Sequence, residues 1–161
     1  ARIDLDRLLR SFLTEPGRFT SDFDRSALVD FNTDLFPKDE FDLAYGYVLR
    51  KDYVLAEDGF RNFLSKYPNE RLAGDATYWL GEAMFQRQRY RDAAEAFLNV
   101  STKYDSSAKA PDALLRLGQS LAALGEKETA CASFGEVLRK FPRASAGVKQ
   151  AVEREQKRVR C

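Results

Sequence analysis

Small and apolar residues recur along this chain at a fixed spacing of 37 residues. The segments LAYGYVLRKDYVLAEDGF (43–60), LGEAMFQRQRYRDAAEAF (80–97) and LGQSLAALGEKETACASF (117–134) begin with Leu and end with Phe. Each also has Ala four residues before that Phe. Self-similarity with a period of this length is typical of stacked supersecondary units. The pattern therefore predicts three copies of one structural unit.

Each copy contains two apolar stretches with helical spacing. In the second copy, the pattern between Tyr78 and Phe85 predicts a first helix, and the pattern between Tyr90 and Val100 predicts a second. Asp75 is expected to cap the first helix, because a carboxylate can accept hydrogen bonds from the free amides of a first turn. A Pro or Asp after an aromatic residue closes each copy, and Pro disfavours helix before it. The unit is therefore a pair of helices.

Small residues at equivalent positions indicate where the two helices of a pair cross. Gly81 and Gly118 follow the first Leu of their copies, and Ala44 takes this position in the first copy. A small side chain allows two backbones to approach closely, and the recurrent Phe fills the space beside it. These columns resemble the tetratricopeptide repeat over residues 41–142.

The resemblance implies an all-α fold, a right-handed superhelix of three tetratricopeptide helix pairs with a C-terminal capping helix. The repeats are expected at about 40–72, 73–109 and 110–143, and the capping helix at 145–160. Residues 1–39 then form a separate N-terminal segment.

The connectors between the copies point to a more specific family. The stretches KYPNERLAGDATYWLGEAMFQRQRY (66–90) and KYDSSAKAPDALLRLGQSLAALGEKETACASFGEVLRKFP (103–142) resemble the C-terminal domain of the YbgF/CpoB family of Tol-Pal-associated cell-division coordinators. The resemblance implies a non-enzymatic periplasmic scaffold. Its partners would be TolA-like proteins and a peptidoglycan synthase complex, and it would coordinate outer-membrane constriction with septal peptidoglycan synthesis.

The first 39 residues do not share this pattern. A short amphipathic helix is predicted there from five apolar positions, namely Leu5, Leu8, Leu9, Phe12 and Leu13. An acidic, turn-prone linker follows. Family members trimerise through an N-terminal coiled coil, but no sustained heptads are present here, so a homo-oligomer would need a coiled coil outside this sequence. The simpler interpretation of the segment is a linker, and the alternative is a segment that docks on the repeats or on a partner.

Composition limits the classes of function. The 26 basic and 25 acidic residues nearly balance, so charge does not favour nucleic acid or an anionic membrane. The absence of His removes the commonest general base and metal ligand, and we expect no catalytic residue, metal site or cofactor. No apolar run is long enough for membrane insertion. The first residue is Ala1, which predicts a processed or trimmed product without its export signal.

A partner is expected to bind on the concave side, which the first helices of stacked pairs line. The tetratricopeptide resemblance assigns ten residues to this groove: Phe41, Tyr45, Val48, Tyr78, Glu82, Phe85, Gln86, Asp112, Leu115 and Gln119. Aromatic rings beside polar groups suit a peptide ligand. The alternative for several of these rings is a place in the core, and Trp79 is interpreted as a filler between helices.

The two cysteines, Cys131 and Cys161, form no CxxC motif, so a zinc or thioredoxin-like site is not expected. If the last helix packs antiparallel to its predecessor, a rise of about 1.5 Å per residue brings Cys161 back to the level of Cys131. We therefore predict a disulfide between them, with two free thiols as the alternative.

Three other functions remain open. A generic tetratricopeptide adaptor that clamps a C-terminal carboxylate would need a cluster of basic residues on the groove. A subunit like the outer-membrane assembly lipoproteins would need a lipidated N-terminal Cys. The last of the three is an enzyme.

Overall fold

The computed structural model describes residues 36–161 and two residues of the N-terminal segment, Leu5 and Leu9. Residues 36–161 form α-helices and no strand. The helices are α1 (Pro37–Leu49), α2 (Tyr53–Lys66), α3 (Ala73–Gln86), α4 (Tyr90–Lys103), α5 (Ala110–Ala123), α6 (Lys127–Lys140) and α7 (Ala146–Val159). The predicted all-α superhelix of three helix pairs and a capping helix is confirmed.

The helices follow the sequence period. Helices α2, α4 and α6 begin 37 residues apart, and so do α3 and α5. The turn inside each pair has a positive φ at one equivalent residue, namely Lys51, Gln88 or Gly125. Only the third is the glycine that this conformation favours. The first helix begins at Pro37, slightly before the predicted repeat boundary at 40, and Pro is well suited to a first helical position.

Asp75 does not cap α3, so that prediction was wrong. The N-cap residue is Leu72, and no side chain accepts a hydrogen bond from the free amides there. Asp75 lies inside the first turn, where its Oδ1 accepts a 2.8 Å hydrogen bond from the hydroxyl of Ser107. Its negative charge still suits the positive end of the helix dipole, but its hydrogen bond ties α3 to the connector before α5.

Glycines allow the helices of the second and third pairs to cross closely. A Cβ atom on Gly81 would lie 2.8 Å from the ring of Phe97, and one on Gly118 would collide with the ring of Phe134. Both rings are fully buried. The prediction of small residues beneath the recurrent Phe therefore has a direct steric basis.

The first pair achieves the same crossing with the small residue on the other helix. Ala44 stands where the later pairs have Gly, and a Cβ on Gly59 of α2 would lie 2.8 Å from the Cβ of Ala44. The residues equivalent to Gly59 in the later pairs are Ala96 and Ser133. Compared with the later pairs, the first pair therefore has an additional methyl group on α1, at Ala44, and lacks a side chain on α2, at Gly59.

Two residues of the N-terminal segment contact this core. Leu5 and Leu9 lie in helical backbone, both are buried, and both belong to the apolar cluster that contains the repeat residues. These contacts agree with docking on the repeats for Leu5 and Leu9, and the linker over the rest of the segment stays a prediction. Leu8, Phe12 and Leu13, which were predicted to share the helix, lie outside the described residues.

Helix α7 covers the last pair. Its N-cap residue is Ser145, whose hydroxyl accepts a hydrogen bond from the amide of Val148. Its buried side chains are Val148 and Val152. At its far end a disulfide joins Cys161 to Cys131 of α6, with the two Cα atoms 5.6 Å apart. The capping helix is therefore held by a small apolar contact and one covalent link.

Candidate peptide-binding surface

The first helices α1, α3 and α5 lie side by side, and we call their shared surface the first-helix face. Tyr45 of α1 meets Trp79 of α3, with ring centroids 5.0 Å apart. The equivalent residues 37 positions later are Glu82 of α3 and Arg116 of α5. The same helix-to-helix contact is therefore aromatic at the first junction and ionic at the second.

At the second junction, polar side chains of α3 and α5 form a network of hydrogen bonds with one another. The guanidinium of Arg116 donates from Nη2 to Glu82 Oε1 at 2.7 Å and from Nε to Oε2 at 2.9 Å. It also donates to Gln119 Oε1 at 2.9 Å, while Gln86 Nε2 donates to Glu82 at 3.0 Å. The guanidinium carbon lies 4.3 Å from the ring centroid of Phe85. Bidentate pairs of this kind are strong and directional, so this carboxylate is already engaged within the protein.

Three of the ten predicted groove residues are in the interior. Tyr78, Glu82 and Leu115 are buried, each at most 9% exposed. The ring of Tyr78 packs against Phe97 at 5.6 Å and Trp79 at 5.1 Å. Burial, with the nearby negative charges of Glu82 and Asp112, raises the pKa of Tyr78, so its phenol stays neutral at ordinary pH. These three side chains lie beneath the surface and support it.

The other seven predicted residues remain accessible to different degrees. Gln86 is exposed, and six are partly exposed, namely Phe41, Tyr45, Val48, Phe85, Asp112 and Gln119. Phe41 packs against the core, with centroid distances of 5.4 Å to Phe60 and 5.9 Å to Phe63. Tyr45 is therefore the ring on α1 best placed to meet a partner.

Trp79 packs between α1 and α3, as the filler interpretation expects, and it is also partly exposed beside Tyr45. Sequence reasoning missed one further residue on this face. Lys109, the N-cap residue of α5, places its Nζ 5.3 Å from the ring centroid of Tyr78 and 5.2 Å from that of Trp79. Lys109 lies in a connector and outside the repeat columns, so no sequence signal pointed to it.

Within residues 36–161, together with Leu5 and Leu9, no group of three or more His, Cys, Asp or Glu side chains could hold a metal ion. Among the same residues, no helix is both long enough and apolar enough to cross a membrane.

Comparison with known families identifies the repeat. The sequence profile of the tetratricopeptide repeat matches residues 75–107 and 112–144. These two stretches are similar to the tetratricopeptide repeat, and together they cover less than half of the chain. The first helix pair, which lies before them, has the same fold and register but carries Ala44 in place of the Gly and Gly59 as its steric match.

Curated relatives share a shorter stretch with this chain. The protein named cell division coordinator CpoB from Pseudomonas putida strain KT2440 is 48% identical over 42 residues. A second Pseudomonas putida sequence of the same name gives the same identity over the same length. The aligned part covers 26% of this chain and only 16% of each coordinator. The chain is therefore similar to a small part of these relatives.

Proposed function

We propose that this protein is a non-enzymatic periplasmic scaffold of tetratricopeptide repeats. It would bind a TolA-like protein of the Tol-Pal system and proteins of cell-wall synthesis, and so coordinate outer-membrane constriction with septal peptidoglycan synthesis. The observation that carries the proposal is the 48% identity over 42 residues to a protein named cell division coordinator, within a fold of tetratricopeptide repeats.

The first-helix face supports a role in binding proteins. Partly exposed aromatic side chains, Phe41, Tyr45 and Phe85, lie on consecutive first helices beside polar groups such as Gln86. Rigid rings provide contact area at a small cost in conformational entropy, and they are enriched among residues that dominate binding energies. A peptide or helix of a partner suits such a surface.

The disulfide supports the periplasmic part of the proposal. Disulfides persist in oxidising compartments, including the bacterial periplasm, and are rare in the cytosol. The bond between Cys131 and Cys161 closes a separation of 30 residues and holds the capping helix. A protein that contains such a link is best suited to an oxidising compartment.

A generic peptide-binding adaptor is the second candidate, and the repeats alone favour it. Its carboxylate-clamp version needs several free cations on the first-helix face. Arg116 pairs with Glu82 at the second junction. Among the described residues of the three first helices and their N-caps, Lys109 is therefore the cation that remains without an ion pair. The clamp version is therefore poorly supported.

The proposal is tested by titrating the purified chain with purified TolA and, separately, with the periplasmic region of a bifunctional peptidoglycan synthase. Tyr45→Ala removes a partly exposed ring from the first-helix face and should weaken binding about tenfold, as for a residue near the centre of an interface. Tyr47→Ala is the matched control, since Tyr47 lies on another side of the same helix, with Arg50 over its ring.

Circular dichroism would show that both variants keep their helices. Binding to neither protein by the wild type would overturn the proposed function. Equal losses from the two substitutions would place the site elsewhere.

A further inference from the structure

Lys109 occupies an unusual electrostatic position at the first junction. Its ammonium lies over the rings of Tyr78 and Trp79, and the residue is partly buried. Among the described residues, no carboxylate forms an ion pair with it. Ring faces attract a cation, but an ammonium has three N–H donors that still require acceptors. Among the described residues no side chain supplies such an acceptor, so water or an anion from a partner meets this demand, and an anion adds the attraction of opposite charges.

The acidic residues nearby do not meet this demand. Asp75 accepts its hydrogen bond from Ser107. Asp112 lies in the first turn of α5, where the positive end of the helix dipole stabilises its negative charge. Glu82 is held by Arg116 in the second junction. Neither Asp75 nor Asp112 comes within the 4.0 Å of an ion pair with Lys109.

Apolar surface lies directly beside the cation. The ring of Trp79 contacts Tyr45 edge-on, and Tyr45 stacks with Phe41 at a centroid distance of 6.4 Å. Tyr45 and Trp79 are both partly exposed. A row of rings thus runs from α1 to α3 and ends at the ammonium of Lys109. We call Tyr45, Trp79 and Lys109 the first-junction cleft.

We propose that the first-junction cleft binds a peptide segment of the protein partner in which a carboxylate side chain stands next to an aromatic or large aliphatic side chain. The carboxylate pairs with the ammonium of Lys109, and the apolar side chain packs on the rings of Tyr45 and Trp79. This inference rests on the proposed function, since it specifies which part of a protein partner the first-helix face recognises.

The test begins with selection of displayed random 12-residue peptides on the immobilised wild-type protein. Enriched peptides should contain Asp or Glu next to Phe, Trp, Tyr or Leu. They are then synthesised with blocked ends, so that no terminal carboxylate contributes, and titrated. Lys109→Gln should weaken them about tenfold, the value of one charged hydrogen bond. Lys109→Glu should abolish their binding and favour peptides in which the acid is replaced by Lys.

Lys103→Glu is the matched control. Lys103 also lies over a ring, that of Tyr104 at 5.5 Å, but at the end of α4, a second helix. Binding should be unchanged by this substitution, and thermal melting should show that all variants are folded. Enrichment of basic peptides, enrichment of none, or acidic peptides that bind equally well to Lys109→Glu would each overturn the inference.

Titration of the same variants with TolA separates the two proposals. If wild type and Lys109→Glu bind TolA equally, the cleft is not the recognition site, and the scaffold function stands. If acidic peptides bind the cleft but neither TolA nor the synthase binds the wild type, the inference stands, and the proposed partners are wrong.

Discussion

The carboxylate of Glu57 accepts a 2.6 Å hydrogen bond from the guanidinium of Arg87, which lies just beyond the end of the next first helix. Two periods later in the sequence, these two positions are Cys131 and Cys161, and a disulfide joins them. The same pair of places in the superhelix is thus held by an ion pair near its beginning and by a covalent bond at its end. Helix α7 buries only two side chains fully or nearly so, so the covalent bond compensates for a small apolar contact.

The disulfide should contribute much of the stability of the capped end. In the chain-entropy model, closing a loop of about 30 residues stabilises by roughly 3–4 kcal/mol. We expect reduction with dithiothreitol to lower the midpoint of urea unfolding, and the variant Cys131→Ser/Cys161→Ser to unfold at that lower midpoint with or without reductant. Two alkylatable thiols in the unreduced wild-type protein, measured by mass spectrometry, would contradict the bond itself.

Glu57 should stabilise the contact between the first and second helix pairs in a pH-dependent way. Burial by itself raises the pKa of Glu57, but the hydrogen bonds and charges of Arg89 and Arg61 outweigh it and hold this pKa below its ordinary value. A lowered pKa adds stability above the unfolded value of about 4.3, and the gain disappears as the pH falls through the folded value. Glu57→Gln should therefore cost about 1.5–3 kcal/mol at neutral pH, and the difference from wild type should shrink below about pH 4.

The measurement for Glu57 is urea unfolding of wild type and variant across the acid range. Asp42→Asn is the control, because Asp42 pairs with Lys38 on the exposed surface of α1 and should change little. A cost of Glu57→Gln that stays constant down to pH 3 would show that the charge of Glu57 is not the cause.

Ala44 and Gly59 should be energetically coupled. Gly59→Ala places two Cβ atoms too close together, and such overpacking typically costs about 1–3 kcal/mol. Ala44→Gly should cost about 1 kcal/mol through helix propensity alone. The double variant moves the small residue to the helix where the later pairs have it, so it should be more stable than the two single effects predict. Unfolding free energies of the four proteins form the cycle, and additive effects would exclude the steric match.

Gly118 and Gly135 provide a matched pair of glycines in α5 and α6. A Cβ on Gly118 would collide with the buried ring of Phe134, whereas a Cβ on Gly135 meets nothing within 4 Å. Gly118→Ala should therefore destabilise by about 1–3 kcal/mol. Gly135→Ala should be neutral or stabilise by up to about 1 kcal/mol, because Ala is the better helix former. Thermal melts that shift equally for both variants would refute the assigned register.

The sequence by itself determined the repeat architecture. Helix bounds follow from local periodicity, which is why each second helix ends just before Tyr67, Tyr104 or Phe141, the aromatic residues that close the three copies. The approach of Cys161 to Cys131 also followed from helix rise and an antiparallel turn, since both are properties of a regular element.

Only the tertiary structure decided what the equivalent positions do. Tyr45 and Glu82 occupy the same column, yet one meets Trp79 and the other is locked by Arg116. The choice depends on the side chain that the neighbouring helix presents, and a repeat pattern contains no information about it. Lys109 reaches the rings of α3 from a connector for the same reason. Periodicity specifies how each helix pair folds, whereas the exposure and charge of the binding face arise from contacts between residues distant in sequence.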